Sequence, residues 1–135
     1  MKHTTIRSAA AGLLALALVG SGAGAAQAKG GNDRELRRSG HCSAASVWKL
    51  KAKTDDGRLE VEFEVDSNRN GQRWSVAIND NGVRVFTGAR TTVAPSGSFE
   101  VERHIANRAG SDRITASATN AKTGERCSGV VVYSA

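Results

Sequence analysis

The sequence predicts an all-β domain, an antiparallel sandwich of about seven strands of the immunoglobulin or fibronectin type III kind. Beyond Cys42, apolar residues recur at every second position, the signature of strands with one dry face. Turn-forming residues break these runs every 8 to 15 residues or so, the spacing of short strands stacked in two sheets. Outside the first 28 residues, no segment keeps the 3.6-residue period of a helix.

The 135 residues suffice for one small domain, and 39% apolar residues with 4% aromatics build only a thin core. Residues 1–28 read as a secretory signal. Lys2 and Arg7 form a basic head, Ala9 to Val19 an apolar run, and Ala26-Gln27-Ala28 a small-residue cleavage site. That apolar run is too short to span a membrane, which takes about 20 residues. No later stretch or lipid-accepting Cys replaces it, so cleavage after Ala28 would release a secreted product with no membrane span. Losing Lys2 and Arg7 lowers the formal charge from +6 to +4, too sparse a footprint for nucleic acid. Residues 29–41, with glycines near both ends and charges between, read as a flexible leader carrying Arg34, Arg37 and Arg38. The sandwich would occupy residues 42–135.

Cys42 and Cys127 are the only cysteines, and in an oxidising exterior they are expected to pair. Closing so long a loop stabilises a fold by about 4 to 5 kcal/mol, a large share of what a small domain has. Pairing also removes the free thiol that a Cys–His nucleophile would need.

The first strand is expected near 46–53, where Trp48, Leu50 and Ala52 alternate with Lys49, Lys51 and Lys53. The second, near 58–65, sets Leu59, Val61, Phe63 and Val65 against Glu60, Glu62 and Glu64. A four-residue turn over Thr54 to Gly57 would pair Lys53 with Arg58, Lys51 with Glu60 and Lys49 with Glu62, with Leu50 on Val61 and Trp48 on Phe63. Such opposite-charge pairs explain the Lys/Glu alternation structurally, and exposed glutamates lack the burial a catalytic acid needs. The third strand, near 72–79, turns Trp74, Val76 and Ile78 inward. Asn81-Gly82 is the strongest short hairpin signal in the chain, leading into Val83 and Val85. Further strands are expected near 97–105, 112–119 and 126–133.

The third, fourth and sixth strands would expose Arg73, Ser75 and Asn79, then Arg84 and Phe86, then Arg113, Thr115, Ser117 and Thr119. Guanidinium forks suit carboxylate or phosphate, and hydroxyls suit sugars and polar polymers, so Arg73, Arg84, Phe86 and Arg113 form the candidate binding face. Asp66, Asn68 and Asn70, followed by Gly71, open like a calcium loop, but the twelfth position is Ala77 and Arg69 adds positive charge. The same residues make a tight inter-strand loop, so no metal is expected there or elsewhere. His41 and His104 are too few for a zinc site once the cysteines are paired. No nucleophile elbow, zinc-protease helix or phosphate loop is present, and no cofactor or catalytic residue is expected.

Three stretches, Trp48 to Lys53, Glu60 to Gln72 and Ala94 to Val101, resemble small secreted proteins of Streptomyces and related actinobacteria. The resemblance covers nearly all of the chain after the signal, implies a Gram-positive source and Sec export, and carries no activity with it. As a fold analogy, the chain is also similar to the secreted enediyne-binding apoproteins. Those have two internal disulfides and an apolar cleft that are not evident here. The resulting expectation is a non-catalytic secreted sandwich that binds an anionic cell-envelope polymer or another secreted protein. The alternatives are a small-ligand carrier, which needs an apolar cleft, and a protease inhibitor acting through the loop from Thr91 to Gly97.

Overall fold

Eight antiparallel strands, most of them alternating between buried and more exposed side chains, make up the computed structural model, which describes residues 34–134. The signal sequence and residues 29–33 of the expected leader lie outside the described residues. The strands are β1 (Glu35–His41), β2 (Val47–Asp55), β3 (Arg58–Asp66), β4 (Arg73–Asp80), β5 (Val83–Thr91), β6 (Ser98–Ala106), β7 (Ser111–Asn120) and β8 (Arg126–Ser134). They form two four-stranded sheets, one ordered β1-β2-β3-β6 and the other β5-β4-β7-β8. The fold is the expected β-sandwich, with one strand more than the sequence suggested.

That additional strand corrects the reading of residues 29–41 as a flexible leader. Glu35 to His41 pair with β2 from Glu35 opposite Lys53 to His41 opposite Val47. Leu36 is the strand's one large apolar side chain and packs on the core. A charged strand at a sheet edge gives little hydrophobic period to read, and charge at an edge discourages pairing with other chains.

The β2–β3 hairpin also differs from expectation, by a slip of two residues. Its loop is only Asp56-Gly57, both with positive φ (49° and 73°), which matches the right-handed twist of the strands better than a four-residue turn. Lys53 therefore faces Glu60, Lys51 faces Glu62 and Lys49 faces Glu64, while Leu50 meets Phe63 and Ala52 meets Val61. An even slip preserves which face each side chain occupies, so the dry and wet faces are as expected. Asn81-Gly82 forms the second tight hairpin, again with both residues at positive φ.

Between the sheets lie Leu50, Val61, Phe63, Trp74, Ile78 and Ile114, all sealed from solvent. The Trp74 and Phe99 rings are tilted by 55° with centroids 6.3 Å apart, within the range of favourable aromatic pairs. The Cys42–Cys127 disulfide ties the segment after β1 to β8 and so joins the two sheets. Beside it, the Trp48 indole lies over Gly40 and Gly129, where only the missing Cβ leaves room for the ring. Glu125 closes that end of the sandwich by accepting hydrogen bonds from Ala44 N (3.0 Å), Ser46 N (2.9 Å) and Ser46 Oγ (2.8 Å).

Candidate functional site

The outward positions of the two sheets differ sharply in charge. On the β5-β4-β7-β8 sheet, the register aligns Asn79 with Thr115 and Arg84, Ala77 with Ser117 and Thr87, and Ser75 with Thr119 and Ala89. Ser128 lies beside Ser117, and Arg126 beside Thr119. Arg73, Arg84, Arg113 and Arg126 are all exposed on this face, and no Asp or Glu occupies an outward position of these four strands. The Arg84 guanidinium donates to Asn79 Oδ1 at 2.7 Å, which fixes its direction without neutralising it. Among the described residues, none of these four arginines makes an ion pair with a carboxylate.

The structure brings together only part of the predicted face. Arg84 and Arg113 lie at the end of the sheet that holds Asn79, whereas Arg73 begins β4 at the opposite end, about 20 Å away along the strand. Arg126, which the sequence reading missed, sits near Arg73 and makes a second basic end. It stands two residues from Ser128 in the period-two pattern, so its outward side was legible, but its place beside β7 was not. The hydroxyls of Ser75, Thr115, Ser117 and Thr119 lie between the two ends.

Phe86 does not belong to this face. The ladder between β4 and β5 shifts register between Ile78 and Asn79, so that Phe86 pairs with Ile78 rather than with Ala77. One extra residue in a strand reverses the alternation beyond it, and the Phe86 ring consequently turns toward the gap between the sheets. It is half-buried there, with the guanidinium carbons of Arg90 and Arg103 at 4.9 Å and 5.7 Å from its centroid.

The outward face of the other sheet concentrates acid. Lys51 pairs with Glu62, and Lys53 Nζ stands 3.5 Å from Glu60. On the far side of β3, however, Glu62 faces Glu102 and Glu64 faces Glu100. Like charges placed directly opposite each other are destabilising. Burial, reinforced by Glu62, Glu64 and Glu102, raises the Glu100 pKa above its ordinary value. The expectation of plainly exposed glutamates is therefore corrected, since Glu60 is buried and Glu62 and Glu64 are half-buried.

In the calcium-like loop, Asp66 Oδ1 accepts from Asn68 N at 2.8 Å, and Asn68 adopts positive φ. This is the local Asx turn that accounts for Asp66 and Asn68 without an ion. The loop from Thr91 to Gly97 packs on that turn, because Gly97 lies against the backbone of Asn68 and Arg69 and accepts from Ser67 N. Two surface grooves, of about 420 and 340 Å³, are bordered mainly by charged and hydroxyl-bearing residues. Neither supplies the apolar cleft that a small-ligand carrier requires.

Comparison with family models, with curated proteins and with solved structures finds no match to the chain. Any assignment of function rests on these faces alone. The Cys42–Cys127 disulfide fits an extracellular protein. Among the described residues, no helix is long and apolar enough to cross a membrane.

Proposed function

We propose that this chain is an exported, non-catalytic binding module that holds an anionic polymer of the cell envelope on the outward face of the β5-β4-β7-β8 sheet. The observation that carries this reading is four arginines on a sheet face without a single carboxylate, flanking a field of hydroxyls. A phosphate-bearing or carboxylate-bearing polymer would meet a guanidinium at each end and hydroxyl donors between them. On the opposite sheet, Lys51 and Lys53 are held by carboxylate partners. With its cysteines joined, the described chain has no free thiol to act as a nucleophile.

The test is retention of the mature, oxidised protein on purified Gram-positive cell wall, with and without its teichoic acid, across a salt series. Retention should fall as salt rises and should depend on the teichoic acid. Combined Arg→Ala substitution at 73, 84, 113 and 126 should abolish it while leaving the thermal midpoint nearly unchanged, because all four side chains are exposed. No retention at low salt, or equal retention of the substituted protein, would refute the proposal.

A further inference from the structure

We infer that His104, Asp55 and Glu60 form a binding site for a divalent transition-metal ion of the zinc type, on the sheet opposite the basic face. The site is built by pairing alone. His104 on β6 stands directly across the ladder from Glu60 on β3. The two-residue turn after β2 brings Asp55, the last residue of that strand, alongside them. His104 Nε2 lies 3.1 Å from Asp55 Oδ2 and 3.3 Å from Glu60 Oε2, and one donor atom from each residue lies within 4.8 Å of the other two.

The two spacings to His104 suit a metal's coordination shell. Two ligand atoms each about 2.0 to 2.1 Å from an ion, at octahedral to tetrahedral angles, stand roughly 2.8 to 3.4 Å apart. A single N–H on Nε2 makes one well-aligned hydrogen bond, yet two carboxylate oxygens converge on that nitrogen. One imidazole with two carboxylates is a mixed N/O donor set that borderline divalent ions accept. Three protein ligands leave the remaining positions to water on this open face, where the side chains of His104 and Asp55 are 38% and 44% exposed.

A second observation points the same way. Glu60, Glu62 and Glu102 form an adjoining group of carboxylates that also lie within 4.8 Å of one another, with Glu62 and Glu102 as a like-charge pair across the ladder. The two groups share Glu60, which is 93% buried by residue exposure. A dication beside Glu60 offsets the repulsion within this row and draws strength from its field. The opposing cations are Lys53, 3.5 Å from Glu60, and Arg58, whose guanidinium donates to the His104 carbonyl at 2.7 Å. Lys53 must swing aside when the ion enters, which its half-buried but flexible four-carbon stem allows.

The experiment is calorimetric titration of untagged, mature, oxidised, chelator-treated protein with zinc chloride at neutral pH, followed by NMR of the His41 and His104 imidazoles. One ion per chain should bind, with the His104 ring resonances shifting and those of His41 unmoved. H104Q and D55N should each weaken binding by about tenfold or more. H41A should leave it unchanged. Absence of saturable binding would overturn the inference, as would equal affinity in H104Q or a zinc-induced shift confined to His41. Wall retention by the arginine face is read separately, so either result leaves the other interpretable.

Discussion

The carboxyls of Asp80 and Asp112, two acids sealed from solvent, interact with each other at one end of the sheet. Asp80 ends β4 and Asp112 lies near the start of β7, two residues before Ile114, its neighbour across the ladder. Oδ1 of each carboxyl has no hydrogen-bond partner. Arg108 stands with its Nε 3.7 Å from Asp80 Oδ2, and its backbone N–H donates to Asp112.

Burial first, and then Asp112, push the Asp80 pKa up to about 6, against a weaker opposing pull from Arg108. The folded protein thus keeps a proton that the unfolded chain releases near the ordinary Asp value of 3.8. Stability from this group is complete below that value and is lost as pH rises through about 6. The denaturant midpoint should therefore fall between pH 4 and pH 7 or so. In D80N, whose amide donates to Asp112 at every pH, that part of the slope should flatten. An unchanged slope in D80N would show that Asp80 does not hold the proton.

Reducing the Cys42–Cys127 disulfide, which closes 85 residues of chain, should cost about 4 to 5 kcal/mol of folding free energy. Urea unfolding of the oxidised protein beside the C42A/C127A variant measures it. A difference under about 1 kcal/mol would mean that the unfolded chain is already compact in this region.

The contact of Trp48 with Gly129 makes G129A a sensitive probe of how the two sheets close. A methyl there meets the indole, and overpacking of this kind costs about 1 to 3 kcal/mol. Thermal melts should show the loss, and Trp fluorescence should show a displaced ring. An unperturbed melt would indicate that the sheets separate easily on this side.

Phe86 separates the inward and outward readings of β5. F86A should lower stability by about 1 to 2 kcal/mol, through lost burial and loss of the ring beneath Arg90 and Arg103. Retention on cell wall should be unaffected. Reduced retention at unchanged stability would place the ring on the binding surface instead.

Two-residue periodicity was legible from the sequence in β2, β3, β4 and β7, because apolar residues occupy every second position there and their faces are decided locally. The cysteine pair and the Asn81-Gly82 hairpin were legible for the same reason: oxidation state and turn chemistry belong to a few residues each. Arg84 and Arg113 could be placed outward from their strands alone. Phe86 could not, since nothing in the run from Val83 to Thr91 marks the register shift that reverses its side.

What the sequence alone determined is the dry and wet side of most strands, Phe86 and Glu60 excepted, and that the chain is stapled. Only the tertiary structure decided which wet residues share a neighbourhood. It added Glu35–His41 as an edge strand, although the segment has almost no apolar period. It laid β6 beside β3 across 30 or so intervening residues, which placed Glu102 opposite Glu62 and His104 beside Glu60 and Asp55. Alternation along a strand is a property of neighbouring peptides, whereas the partner of a strand is chosen when distant segments together bury the core.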